Sequence, residues 1–120
     1  MEKKHFIQIK KALQNSWSLK SSSKWSADNP AKGQCGVTAL VVNNHLGGEI
    51  KKTKLLDGWH FYNVIDNKRY DFTSSQFSEE ILYMDIDSTR EEAFSDTNES
   101  QYLYLNQSVL NYIKNKRDVQ

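Results

Sequence analysis

The sequence has few of the residues that cross-link a chain or divide it into domains: one cysteine, one proline and five glycines among 120 residues. A single cysteine excludes an internal disulfide, which fits a reducing cytoplasm and leaves the thiol free for chemistry. A single proline, with no flexible linker, leaves no marked domain boundary. We therefore expect one domain over residues 1–120, a length sufficient for a single hydrophobic core.

An excess of one charge and a long apolar run are also missing. Sixteen Lys and Arg against fifteen Asp and Glu give a net charge of +1, so the basic field that nucleic acid or an anionic membrane requires is absent. The apolar residues after the charged residues 1–5 are interrupted by Gln8 and Lys10, which excludes a signal-peptide core, and no segment is long enough to span a membrane. These absences predict a cytoplasmic protein with no nucleic-acid and no membrane partner.

Acidic residues are concentrated between Glu79 and Asp96, where Arg90 is the only basic residue. We interpret this region as a solvated acidic face. A bound cation is the weaker alternative, because the carboxylates lack the glycine-punctuated spacing of a calcium loop.

The apolar stretch that begins at Cys35 predicts a buried central helix, which Gly47 and Gly48 end. A cysteine in the first turn of a helix lies beside unpaired N–H groups and the positive end of the helix dipole. Both favour thiolate over thiol. We therefore interpret Cys35 as a nucleophile. The alternative is a buried cysteine that packs as a small hydrophobic residue.

Helical spacing of apolar residues predicts an amphipathic N-terminal helix over residues 3–17 and a C-terminal helix over residues 97–114. Residues 49–55 predict an edge strand whose lysines discourage further pairing. Three pairs have the spacing of helix-capping boxes: Thr73 with Gln76, Ser88 with Glu91, and Asp96 with Glu99.

Residues 59–65 and 69–73 are rich in aromatic and β-branched residues and predict a β-hairpin around the turn Asp66-Asn67. A two-residue turn pairs Ile65 with Lys68 and, by continuation, places His60 and Asp71 on one face of the sheet as diagonal neighbours. We expect these two side chains to bond, with the sulfur of the cysteine about 3 to 4 Å from the imidazole.

Cys35, His60 and Asp71 are the three residue types that thiol-based acyl transfer requires: a nucleophile, a base and a group that orients the base. A lone histidine beside aromatic residues, or a lone aspartate on a strand, is more often structural, and the combination is what favours catalysis. One cysteine and one histidine are too few for a zinc site, so we expect no metal and no cofactor.

Gly33-Gln34-Cys35 resembles the nucleophile motif of transglutaminases, although Gly36 stands where those enzymes place an aromatic residue. His60-x-x-Asn63 and Asp71-Phe72-Thr73 resemble their histidine and aspartate strands. That superfamily is papain-like, which implies an α+β fold in which the helix headed by the cysteine packs on a small antiparallel sheet, with further helices at both ends of the chain.

Most of the chain resembles, more closely, the YunG-like family of small, functionally uncharacterised bacterial proteins. The motifs that carry this second resemblance are Ser16-Trp17-Ser18, residues 29–35, Trp59-His60-Phe61-Tyr62-Asn63 and Tyr70-Asp71-Phe72-Thr73.

The distant resemblance implies a thiol hydrolase or acyltransferase acting on an amide or thioester bond of a small molecule, a peptide or a protein. The catalytic residues would be Cys35, His60 and Asp71, with Gln34, Trp25, Trp59 and Asn63 as candidates for binding the oxyanion or the substrate. We assign the backbone N–H of Cys35 as the hydrogen-bond donor to the oxyanion and keep the side chain of Gln34 as the alternative donor. Trp25 either walls the pocket or belongs to the core. The rival function is a non-catalytic binding protein on the same scaffold, which tolerates an ordinary buried cysteine.

Overall fold

The computed structural model describes residues 2–119, with side chains described as far as Lys116. It contains four α-helices and a short 3-10 turn at Ser74–Gln76. The α-helices are α1 (Lys3–Ser16), α2 (Cys35–Leu46), α3 (Arg90–Phe94) and α4 (Glu99–Val119). Within residues 2–119, none of these helices combines the length and the apolar character needed to cross a bilayer.

The sheet has four antiparallel strands in the order β3-β2-β1-β4. The strands are β1 (Glu49–Leu55), β2 (Gly58–Ile65), β3 (Lys68–Tyr70) and β4 (Ile86–Asp87). With helices and a small antiparallel sheet in one chain, the predicted α+β class is confirmed.

The prediction that β1 is an edge strand is wrong. Its residues Lys51 and Lys52 pair with β4, and their ammonium groups form ion pairs with Asp87 and Glu92. The two residues of β4 are too few to show a strand period, so the sequence pattern gives no sign of this fourth strand.

The hairpin of β2 and β3 has the predicted register. Asp66 and Asn67 both have positive φ, 52° and 65°, as a two-residue type I′ turn requires. Ile65 therefore pairs with Lys68. Strand β3 ends at Tyr70, so the residues after it leave the ladder and turn across the end of the sheet.

Helix α2 lies at the centre of the molecule, because every residue from Cys35 to Val42 is buried. A larger apolar cluster joins α2 to α1 and α4, and a smaller one joins it to the sheet and α3. Gly47, at φ 74°, ends the helix. The first residue of α2 is consequently held in place by elements on several sides.

Two helix caps lie one or two residues beyond the predicted positions. Thr89, not Ser88, caps α3 by accepting a hydrogen bond from a backbone N–H three residues later. At the start of α4, Asn98 accepts the corresponding bond from the N–H of Gln101. The side chain of Asp96, the predicted cap, is therefore free to turn toward α2.

Candidate active site

A cavity of about 560 Å³ opens at the N-terminal end of α2, and both Cys35 and His60 line it. Its walls come from residues 22–24 and 32–33 before the helix, the β1–β2 turn at residues 55–58, residues 76–77 and 79–81, and Asp96. Segments distant in the sequence thus enclose the only cysteine of the chain.

His60 and Asp71 form a buried pair on one face of the sheet. The Nε2 atom of His60 lies 2.6 Å from Oδ2 of Asp71, and both side chains are almost fully buried, at 1% and 5% exposure. The hydroxyl of Tyr83 donates to the same oxygen over 2.8 Å, while the backbone N–H and the hydroxyl of Thr73 donate to Oδ1. The contact between His60 and Asp71 is the one that the hairpin register predicts. Three further hydrogen-bond donors hold the Asp71 carboxylate in place.

The other ring nitrogen of His60, Nδ1, is buried and has no hydrogen-bond partner among the described residues. Because the Asp71 carboxylate accepts the proton of Nε2, the neutral ring carries a lone pair at Nδ1. The edge of the ring packs against Phe77. The imidazole is therefore held firmly at Nε2, while Nδ1 is buried without a hydrogen-bond partner in the described part of the chain.

Cys35 bonds to Asp96 and not to His60. Its Sγ lies 3.4 Å from Oδ2 of Asp96, and the backbone N–H of Gly36 donates to the same oxygen over 3.1 Å. Among the described residues, no hydrogen bond joins the sulfur to Nδ1 of His60. The reason is electrostatic, since the unpaired N–H groups at the start of α2 attract a carboxylate.

The prediction of a thiolate at Cys35 is wrong. Burial, and then the charge of Asp96, raise the pKa of the Cys35 thiol from 9.0 to about 12, although a backbone hydrogen bond from Phe61 opposes the rise. Loss of solvent around Asp96 likewise raises the pKa of its carboxyl, while the hydrogen bonds from Cys35 and Gly36 oppose that rise. Cys35 is therefore a neutral thiol at neutral pH.

Gly36 is required by the approach of Asp96 to the helix. A Cβ atom at this position would lie 2.6 Å from Oδ2 of Asp96 and 2.9 Å from the carbonyl oxygen of Ala93. The aromatic residue that transglutaminases place here has no room. The glycine in the motif is thus explained by a contact with the segment between α3 and α4.

Gln34 and Asn63, predicted to bind the oxyanion or the substrate, do not line the cavity. Gln34 is fully buried, and both polar atoms of its amide lack a partner among the described residues. Asn63 is buried too, and its Nδ2 donates to the carbonyl of Ala39 over 3.0 Å. Asn63 thus ties β2 to α2, which is a structural role.

The two tryptophans predicted to bind substrate lie in different surroundings. Trp25 is half-buried and packs on the larger apolar cluster, outside the cavity lining. Trp59 lines the cavity with 42% of its surface exposed, and the ammonium of Lys52 lies 4.3 Å from its ring centroid. Of the two, only Trp59 is placed to touch a bound molecule.

Asp96 is the site residue that the sequence reading misses. Its spacing from Glu99 matches a capping box, so the pattern assigns it to a helix end. Asn98 lies two residues later and is an equally good N-cap residue. Its presence is the sequence feature that indicates that Asp96 need not cap the helix. Within residues 2–119, no group of three or more His, Cys, Asp and Glu side chains is arranged to hold a metal ion.

Comparison with known proteins gives one family. A family model described as "YunG protein" matches residues 5–114. A relative from Bacillus subtilis (strain 168), described as "Uncharacterized protein YunG", is 55% identical over 100 residues, which cover 83% of this chain and 87% of the relative. No solved structure matches the chain.

Proposed function

The chain belongs to the YunG family, as its motifs predict, and within that family we propose that it is a thiol-dependent hydrolase or acyltransferase. The bond it attacks is an amide or a thioester. One observation carries the proposal: in the buried His60–Asp71 pair, Nδ1 of His60 has no partner among the described residues, and His60 lines the same cavity as Cys35. An imidazole oriented at one nitrogen and free at the other has the form of a general base beside a nucleophile.

The proposed topology is papain-like or transglutaminase-like. Its support is the cysteine at the head of a buried helix, packed on an antiparallel sheet that carries the histidine, with the aspartate just beyond the next strand. The resemblance of the motifs points the same way.

The reaction starts from a neutral thiol. As Sγ of Cys35 forms a bond to the carbonyl carbon, its proton passes to Nδ1 of His60, and the charge of Asp71 stabilises the imidazolium. His60 then returns this proton to the leaving nitrogen or sulfur as the C–N or C–S bond breaks. Water or an acceptor, losing its proton to His60, attacks the acyl group and releases the thiol.

One feature of the resting site must change for this reaction. Cys35 must exchange its hydrogen bond to Asp96 for one to His60. The developing oxyanion then lies at the N-terminal end of α2, where the backbone N–H of Cys35 is the donor we assign.

The test is acylation of the protein by p-nitrophenyl acetate, followed by intact mass. We expect acetylation at Cys35, none in Cys35→Ala, and a rate at least about a hundredfold lower in His60→Gln, which is the usual contribution of a general base. His45→Gln is the matched control, because His45 lies outside the cavity lining. A thermal melt checks that each variant folds.

A non-catalytic binding protein is the second candidate, and the neutral, buried thiol is the observation in its favour. This function predicts that His60→Gln leaves the acetylation rate unchanged, because an unassisted thiol reacts without a base. That result would replace the enzyme proposal.

A further inference from the structure

We infer that Asp96 selects a substrate that carries a positively charged nitrogen, an ammonium or an amidinium group, next to the bond that Cys35 attacks. This inference rests on the proposed function and adds to it the chemical class of the substrate.

The position of Asp96 is the first reason. Its Oδ2 contacts both Sγ of Cys35 and the N–H of Gly36, so a carboxylate touches the reacting atom before any substrate enters. The residue is exposed at the rim of the cavity, and Oδ1 makes no hydrogen bond within the described part of the chain. An entering cationic group can therefore reach this oxygen.

Hydrogen bonding around the sulfur gives a second, independent reason. Nδ1 of His60, a residue only 1% exposed, has no partner among the described residues. In the neutral ring it is an acceptor, because Nε2 then carries the proton that the Asp71 carboxylate accepts. The Asp96 carboxylate also accepts. His60 and Asp96 line the same cavity as Cys35, and two acceptors on its wall fit a group rich in N–H donors, such as an ammonium or an amidinium.

Charges along the cavity wall have the matching sign. Four carboxylates and two lysines line it: Asp57, Glu79, Glu80, Asp96, Lys24 and Lys32. Asp71 adds a further negative charge behind His60. A cavity lined by an excess of one sign concentrates ligands of the opposite sign.

The chemistry of the attack completes the argument. Addition to a neutral acyl group places negative charge on its oxygen, and the nearby Asp96 carboxylate opposes this charge. A cation held by Asp96 cancels the repulsion and favours ionisation of the thiol. The nucleophile would thus be activated more strongly by a cationic substrate than by a neutral one.

The test uses two reagents that differ in charge, 2-aminoethyl and 2-sulfonatoethyl methanethiosulfonate. In each case the Cys35 sulfur attacks the sulfenyl sulfur, a mixed disulfide forms, methanesulfinate leaves and the thiol proton goes to the buffer. Because the chain has one cysteine, intact mass reports Cys35 alone. The rate of the cationic reagent is divided by the rate of the anionic reagent in the folded protein. This ratio is then divided by the ratio measured for the protein unfolded in urea, which removes the intrinsic difference between the two reagents.

We expect this normalised ratio to be at least about tenfold in the native protein and close to one in Asp96→Asn. Asp96→Glu, which keeps the charge, should retain the preference. Asp28→Asn is the matched control, since Asp28 is exposed and lies outside the cavity lining, and it should retain the preference too. Thermal melts establish that the variants are folded.

A ratio near one in the native protein, faster reaction of the anion, or no reaction of either reagent would overturn the inference. So would an equal loss of preference in Asp28→Asn, which would assign the preference to the general field of the protein. Acetylation that depends on His60, without charge preference, would overturn this inference and leave the enzyme proposal standing. Charge preference without such acetylation would overturn the enzyme proposal and leave Asp96 as part of a cation-binding site.

Discussion

At Cys35, the positive end of helix α2 and the negative charge of Asp96 act on the same thiol in opposite directions. The helix end favours the thiolate, whereas burial and the carboxylate favour the thiol, and the net effect is a pKa raised to about 12. A helix end contributes about 0.3 to 1 kcal/mol in most proteins. Removal of a charged group from water costs several times more, which is why burial prevails.

The raised pKa of Cys35 makes stability depend on pH in the alkaline range. Because this pKa is 9.0 in an exposed thiol and about 12 in the folded chain, unfolding releases a proton between these values. The stability due to the protonated thiol is complete below pH 9 and is lost as the pH rises toward 12. We expect the free energy of unfolding to fall, relative to Cys35→Ala, by up to about 1.4 kcal/mol per pH unit.

Urea denaturation of both proteins across this alkaline range measures the difference, and groups that titrate in both chains cancel. Parallel pH profiles of the native chain and Cys35→Ala would show that the thiol is not held in its protonated form.

The Asp71→Asn variant tests the orientation of His60. An amide that donates to Nε2 forces the ring proton onto Nδ1, which then cannot accept the proton of the thiol. We expect acetylation by p-nitrophenyl acetate to slow by about 10² to 10⁴-fold. The free energy of unfolding should fall by about 1 to 3 kcal/mol, because hydrogen bonds to a buried carboxylate are altered.

Tyr83→Phe is the matched control for this variant, since it removes a hydrogen bond to the same Asp71 oxygen and keeps the charge. If Tyr83→Phe slows acetylation as much as Asp71→Asn, the carboxylate has a structural role only.

At the scale of elements, the hairpin was predictable and the segment before α4 was not. Asp66-Asn67 is a local turn signal, and turn length alone fixes the parity that brings His60 and Asp71 to one face. The contact of Asp96 with α2 joins residues 60 and 61 positions apart, and no local pattern encodes such a distant pairing. The contact between His60 and Asp71 could thus be predicted from sequence, whereas the actual partner of the sulfur could not.

The turn of the hairpin provides a test of its own. Asn67 has a φ of 65°, a conformation that costs an alanine about 1 to 2 kcal/mol and a glycine little. We expect Asn67→Ala to lower the free energy of unfolding by about 1 kcal/mol and Asn67→Gly to leave it nearly unchanged. Urea denaturation of the two variants compares them, and equal losses would contradict a left-handed Asn67.

At the scale of the whole molecule, α1 and α4 cover α2 and complete the core. Leu105, on α4, is fully buried in this cluster, whereas Leu103 on the same helix is 55% exposed. We expect Leu105→Ala to lower the free energy of unfolding by about 2 to 5 kcal/mol, and Leu103→Ala to change it by less than about 0.5 kcal/mol. Chemical denaturation measures both, and similar effects would contradict the packing of α4 on α2.

The hydrogen bond from the Gly36 backbone to Asp96 also has a spectroscopic consequence. The chain has only five glycines, so a sample labelled with ¹⁵N at glycine alone gives few amide resonances. The one from Gly36 senses the charge and the presence of the carboxylate directly. A compound that displaces or neutralises Asp96 moves this resonance, so ligands can be sought by a single shift before any substrate has been identified.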